Sequence, residues 1–150
     1  MLKLYDRVVG FVSSKLPEAI MLLFVRVALA GVFWRSGRTK IAEDSWFTIS
    51  DTTYFLFAED YSGVPLPPNM AAVMATVSEH LFPILLLLGL LTRLSATALL
   101  GMTMVIQIFV FPEAWWPVHS LWVALALILI VRGGGVLSLD ALAANKRGVW

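Results

Sequence analysis

The sequence predicts an all-α integral membrane protein. It reads as a bundle of four transmembrane helices with a short helix on the outer membrane surface and amphipathic terminal segments. Three observations carry this. The 150 residues are 59% hydrophobic and 14% charged, where ordinary soluble domains carry about 25% charged residues. Four apolar runs approach or reach the length needed to cross a hydrocarbon core of about 30 Å at about 1.5 Å per helical residue. Most charged residues lie between these runs, and the few inside them stand alone.

The length suits one domain over residues 1–150. A net charge of +1 gives no basic surface for nucleic acid, which leaves the lipid bilayer as the first partner. The absence of cysteine removes thiolate nucleophiles, disulfide exchange, iron–sulfur clusters and cysteine-based zinc sites. Any electron chemistry therefore needs a bound cofactor or a partner.

Residues 1–16 alternate apolar positions (Leu2, Leu4, Val8, Phe11) with Lys3, Asp6, Arg7 and Lys15. This pattern predicts an interfacial amphipathic segment rather than a cleaved signal peptide. The first span is expected over about residues 18–35, with Arg26 near mid-depth and Ala28, Ala30 and Gly31 offering a close-approach face. Trp34 then marks the interface, and Arg35, Arg38 and Lys40 are expected at or beyond the headgroups.

Residues 41–68 form the longest loop and carry Glu43, Asp44, Asp51, Glu59 and Asp60. Within it, SDTTYFLFAEDY predicts a short surface helix capped by Ser50 or Asp51. The second span, about 68–91, holds Glu79 and His80, with Pro83 predicting a kink. A very short turn at Thr92 and Arg93 sets the third span, about 94–111, antiparallel beside it. Gly101 reads as a close-packing position there. Glu79 and Gln107 each lie fourteen residues from Arg93, so they are expected at similar depth. The fourth span, about 118–132, is short, and Ser138 is expected to cap a final helix, SLDALAANK.

Lys3, Arg7, Lys15, Arg93, Arg132, Lys146 and Arg147 fall on the side of the two termini. Arg35, Arg38 and Lys40 fall opposite, offset by acids. The bias predicts both termini in the cytoplasm.

A carboxylate at mid-membrane costs at least a few kcal/mol unless it is paired, protonated or faces protein. Arg26 is the partner expected for Glu79. The pair reads either as a lock between the first two helices or, with His80 and Gln107, as an intramembrane polar site for a proton or a quinone-like molecule. His80 and His119 are each thirteen residues before an interfacial arginine, so bis-histidine haem or metal ligation is geometrically allowed. The simpler reading makes His119 an interfacial residue among Trp115, Trp116 and Trp122. Arg35, Arg38 and Lys40, with Asp44 and Asp51, form an outer rim that reads as a solvated charge cluster or as a site for an anionic group or partner.

The ordered set Arg26…Gly31-x-Phe33…Ser36-Gly37-x-x-Lys40, then Glu79…Leu88-Gly89-Leu90-x-Thr92-Arg93, then His119…Trp122, then Arg132-Gly133-x-Gly135-x-x-Ser138-Leu139-Asp140 resembles the DoxX family. It covers nearly the whole chain. The resemblance implies a four-helix bacterial inner-membrane protein linked to quinol oxidation, thiosulfate:quinone oxidoreduction or redox-stress complexes. The WRSG…K segment with its acidic loop is similar to the branch encoded beside enzymes that make metal-binding modified peptides.

Two functions of different class follow. One is a membrane subunit assisting a redox process, with a quinone-like or lipid-like molecule near Arg26, Glu79 and Gln107. As such it is at most an accessory subunit of an oxidoreductase. The other is a non-catalytic anchor or assembly factor for a partner protein. Transport is a third reading and requires a homo-oligomer, because four short helices leave little room for a pore.

Overall fold

A computed structural model of the chain describes residues 5, 9–11 and 14–146. The amphipathic segment expected over residues 1–16 lies largely outside them, as do Lys3, Arg7 and Arg147. The described residues are helical, with one isolated antiparallel bridge between Ile41 and Ile49. The helices are α1 (Lys15–Thr39), α2 (Asp51–Glu59), α3 (Pro68–Leu88), α4 (Thr92–Phe109), α5 (Ser120–Arg132) and α6 (Leu139–Lys146).

Four helical stretches are long and apolar enough to cross a membrane: α1, α3, α4 and Pro112–Arg132. The last is longer than the run expected over 118–132. A 3₁₀ turn at Pro112–Ala114 and a π turn at Trp115–His119 extend α5 at its N-terminal end. Helix α1 is also longer than expected, running four residues past Arg35. Ser36, Gly37 and Arg38 continue the helical spacing, and the chain leaves it only at Lys40.

The four stretches close into a ring. α1 packs on α3 and α5, and α4 packs on the same two neighbours. The centre holds Leu22, Leu29 and Phe33 from α1, Leu86 from α3, Leu99 from α4 and Leu129 from α5. Phe24, Val77, Leu81, Ile84 and Leu121 are exposed on the outside. Apolar side chains on both faces of a helix are the pattern of a lipid-facing bundle.

Sequence explains most helix ends. Ser50 caps α2 by accepting from the Thr53 N–H at 3.2 Å. Pro67 and Pro68 stand at the start of α3, where missing N–H groups cost nothing. Pro83 sits inside α3 and cannot donate to the Glu79 carbonyl, yet the helix runs on to Leu88. Gly89, at φ +66°, ends it in the left-handed conformation.

The α3–α4 turn is fastened by a distant residue. The Asp140 carboxylate accepts from the Leu91 and Thr92 N–H groups, both at 2.8 Å, and so caps α4 from forty-eight residues away. The Asp140 N–H donates back to the Gly89 carbonyl at 2.9 Å. Ser138 accepts from the Ala141 N–H at 3.2 Å, the cap expected for the last helix.

The glycines expected to mediate close approach do not. Gly31 and Gly101 face open space, with nothing within 4 Å of where a Cβ would stand. Gly37 is the contact glycine: a Cβ there would lie 2.8 Å from His80 and 3.1 Å from Glu79 Cβ. It is the absence of that carbon that lets the C-terminal part of α1 approach the middle of α3.

Candidate functional site

The C-terminal end of α1 and the middle of α3 meet at a buried ion pair. Lys40 Nζ lies 2.7 Å from Glu79 Oε2, with the side chains 12% and 3% exposed. The ammonium also donates to Ser36 Oγ at 3.1 Å and to the Ser36 carbonyl at 3.4 Å, so its three donors are used. Ser36 Oγ in turn donates to Glu79 Oε1 at 3.3 Å. Helical spacing places Ser36 and Lys40 one turn apart on the same face.

The backbone of Lys40 is held as firmly as its side chain. Its carbonyl accepts from the Ser50 N–H at 3.0 Å and from Thr53 Oγ1 at 3.0 Å. The α2 cap and the Ile41–Ile49 bridge thus anchor the residue whose ammonium turns back into the bundle. This corrects the expectation for the outer rim. Arg35, Arg38 and Lys40 do not form one cluster, because Lys40 turns inward and Arg38 lies over the Trp46 ring at 4.8 Å.

Two cavities adjoin at Glu79. The larger, about 190 Å³, is bounded by Glu79, Lys40, Ser36 and Ser78 on its polar side, by Tyr61, and by apolar residues elsewhere. Met74 of α3, Val105 of α4 and Leu66 stand in its wall and are also exposed on the outer face, so it opens between α3 and α4 toward lipid. The smaller, about 160 Å³, runs from Glu79 and Tyr61 to His119 and Trp122. Tyr61 lines both and stacks on Phe57 at 4.5 Å. Burial pushes its phenol up from the ordinary value, with the negative charges of Glu79 and Asp60 adding to the effect, so its hydroxyl is neutral at physiological pH.

The structure brings only part of the expected polar group together. Arg26 does not meet Glu79. It lies at the opposite end of the bundle, where its guanidinium donates to the Leu86 carbonyl at 3.5 Å and to the Leu137 carbonyl. The reason is geometric. Arg26 stands ten residues before Ser36 on the same helix, about 15 Å away. A Cβ on Gly89 would fall 2.0 Å from Arg26 Nη1, so the left-handed glycine turn makes the guanidinium's berth.

Gln107 does not reach Glu79 either. Its Nε2 donates to the Pro112 carbonyl at 2.7 Å and its Oε1 lies 2.7 Å from His119 Nδ1. His119 is buried and packs against Trp122 at 5.0 Å, so it is not a solvated interfacial residue. His80 follows Glu79 on α3 but turns toward α1, with Nδ1 2.7 Å from the Thr76 carbonyl and its ring edge-on to Trp34 at 5.1 Å. The two histidines thus have separate partners. Among the described residues no three His, Cys, Asp or Glu side chains gather as a metal cluster.

Sequence reasoning missed Lys40 and Ser36 as the partners of Glu79. The signal was present: Arg26, Leu29, Phe33, Ser36 and Lys40 recur at three- and four-residue steps on one face. Ending the first span at Arg35 concealed it.

Comparison with known proteins gives a consistent family result. The family profile described as DoxX matches residues 21–112. An uncharacterized protein of Haemophilus influenzae is 34% identical, over 83% of this chain and 84% of the relative. No solved structure matches.

Proposed function

Since the chain belongs to the DoxX family of membrane proteins, we propose that it is a subunit of a membrane redox complex that holds the ring of a quinone-like lipophilic molecule beside Glu79. One observation carries the reading: a buried ion pair forms the polar wall of an otherwise apolar cavity that opens sideways to lipid. At about 190 Å³ the cavity is smaller than the roughly 300–1,000 Å³ of ordinary small-molecule sites. It fits a ring head group, with the tail lying out against Met74 and Val105.

In this reading Lys40 gives up its long bond to the Ser36 carbonyl and donates instead to an oxygen of the ring. Glu79 exchanges a proton with it, and Ser36 and Tyr61 orient it. A quinone supplies two-electron chemistry when bound, and the electrons pass to or from a partner subunit. His80 stands beside Glu79 as a relay candidate, with its Nδ1 committed to Thr76.

The charge bias puts the Arg93, Arg132 and Asp140 end in the cytoplasm of a bacterial inner membrane and the cavity in the outer half. The test is to isolate the protein in native lipid discs and to quantify co-purifying quinone for wild type, Glu79→Gln and Lys40→Met. Enrichment over bulk lipid in wild type, lost in both variants, is expected. Wild type that neither enriches nor binds quinone overturns the reading.

A second reading, a non-catalytic anchor or assembly partner, is favoured by the outer hairpin. Trp46 and Phe47 are 71% and 93% exposed at its tip, an apolar surface open to a partner protein. If Glu79→Gln leaves both partner capture and cellular function intact, this second reading replaces the first.

A further inference from the structure

The smaller cavity carries a specificity device that the ion pair does not explain. The Pro112 carbonyl can only accept, so the Gln107 atom facing it at 2.7 Å is the amide NH₂. Gln107 therefore presents its carbonyl oxygen to His119 Nδ1, also at 2.7 Å. That oxygen too can only accept, so Nδ1 carries the proton. A neutral imidazole protonated at Nδ1 has a bare lone pair at Nε2. His119 stands in the wall of the cavity that also holds Glu79 and Tyr61. Its Nε2 makes no hydrogen bond to a described residue, and it is not among the fully enclosed unpartnered atoms. The atom therefore keeps some accessible surface, and the cavity that His119 lines is where it is available as an acceptor.

We propose that His119, with its tautomer fixed by Gln107, is a specificity-determining acceptor that selects the reduced, phenol-type hydroxyl form of the quinone-like head group over forms that present only ether or carbonyl oxygens at this end. This rests on the head-group reading above and sharpens it. A hydroxyl at this end of the cavity donates to Nε2. An oxygen without a hydrogen meets a lone pair there and loses the bond. The other end of the ring remains with Glu79, Ser36 and Tyr61.

The probes are 4-decylphenol and 4-decylanisole, alike except that the second lacks the O–H. Binding is measured to the full chain in lipid nanodiscs for wild type, Gln107→Leu and His119→Phe. Wild type is expected to prefer the phenol by roughly tenfold. His119→Phe, which removes the acceptor, and Gln107→Leu, which keeps the imidazole but frees its tautomer, are expected to reduce the preference to less than about twofold. Side-chain ¹⁵N NMR of histidine-labelled wild type gives an independent readout. The His119 signals, assigned by their loss in His119→Phe, are expected to show Nδ1 protonated and Nε2 bare, with Nε2 shifting when the phenol is added. Equal binding of the two probes by wild type, or a protonated Nε2, overturns the selectivity and leaves the head-group reading standing. Binding of neither probe overturns both.

Discussion

Breaking the Lys40–Glu79 pair from its two ends should have unequal costs, and the inequality follows from burial. Lys40→Met leaves a carboxylate 3% exposed in the middle of α3, held only by Ser36 Oγ at 3.3 Å. Orphaning a buried charge costs about 3–5 kcal/mol. Glu79→Gln leaves an ammonium that still has both Ser36 acceptors. Its side chain is 12% exposed at the C-terminal end of α1, so it can lift its head toward water. A cost of about 1–2 kcal/mol is expected. The double variant should fall within about 1 kcal/mol of wild type, because two neutral groups of similar shape need no mutual compensation. The singles then sum to about 4–7 kcal/mol against about 1 for the pair, a coupling of at least about 3 kcal/mol. Reversible unfolding in mixed detergent micelles, run as a double-mutant cycle, reads these numbers. Arg26→Met combined with Glu79→Gln is the control and should be additive to within about 0.5 kcal/mol. A Lys40–Glu79 cycle that is itself additive to that margin, or coupling found in the Arg26 cycle instead, refutes the assigned partners.

The other predictions concern positions where the structure leaves little freedom. Asp140→Ala should cost about 1–2 kcal/mol by uncapping α4, and hydrogen exchange should rise at Leu91 and Thr92 before anywhere in α3. Gly89→Ala should be severely destabilising, since the new carbon falls 2.0 Å from Arg26 Nη1 at a φ of +66°. Gly101→Ala, which meets nothing within 4 Å, should instead gain up to about 1 kcal/mol of helix propensity; equal thermal stability of the two variants would contradict both. Gly37→Val should force α1 and α3 apart and reduce quinone retention, read in the same native discs. In an ultraviolet titration the Tyr61 ionisation, lost in Tyr61→Phe, should lie above the ordinary tyrosine value. Because its folded form holds the proton more tightly, its contribution to stability is present below the usual tyrosine value near 10 and is lost as pH rises beyond it.

The fold was legible because lipid imposes a simple rule: backbone groups must be satisfied within each segment, so long apolar runs become helices. Caps such as Ser50 and Ser138 were legible too, since a hydroxyl before a helical run has a local target. The ends of α1 and of the fourth span were not. Ser36, Gly37 and Arg38 look interfacial by composition, and only the tertiary berth between Glu79 and the α2 cap shows why the helix continues. Pairing was the least legible. Depth counted from Arg93 placed Glu79 and Gln107 level, but Gln107 turns to Pro112 and His119 across the short connection. Two charges in oil suggested one bond between Arg26 and Glu79. The chain instead satisfies each separately, one with backbone carbonyls and one with a lysine from beyond the expected span.

That division separates the two ends of the bundle by kind. At the terminal end, Arg26 donates to the Leu86 and Leu137 carbonyls, Asp140 ties the α3–α4 turn to α6, and the packing leaves no room for even a methyl group at Gly89. A site so closed can fasten α6 to the α3–α4 turn but has no face left for a ligand. At the loop end, Glu79, Lys40, Ser36, Tyr61 and His119 border open volume, while Gln107 fixes His119 from outside the two linings. A group held from behind and open in front is preorganised for a ligand rather than for packing. On the proposed reading, the buried arginine, the most conspicuous residue in the first span, serves stability, and ligand binding falls to an ordinary-looking Ser-x-x-x-Lys at the far end of the same helix.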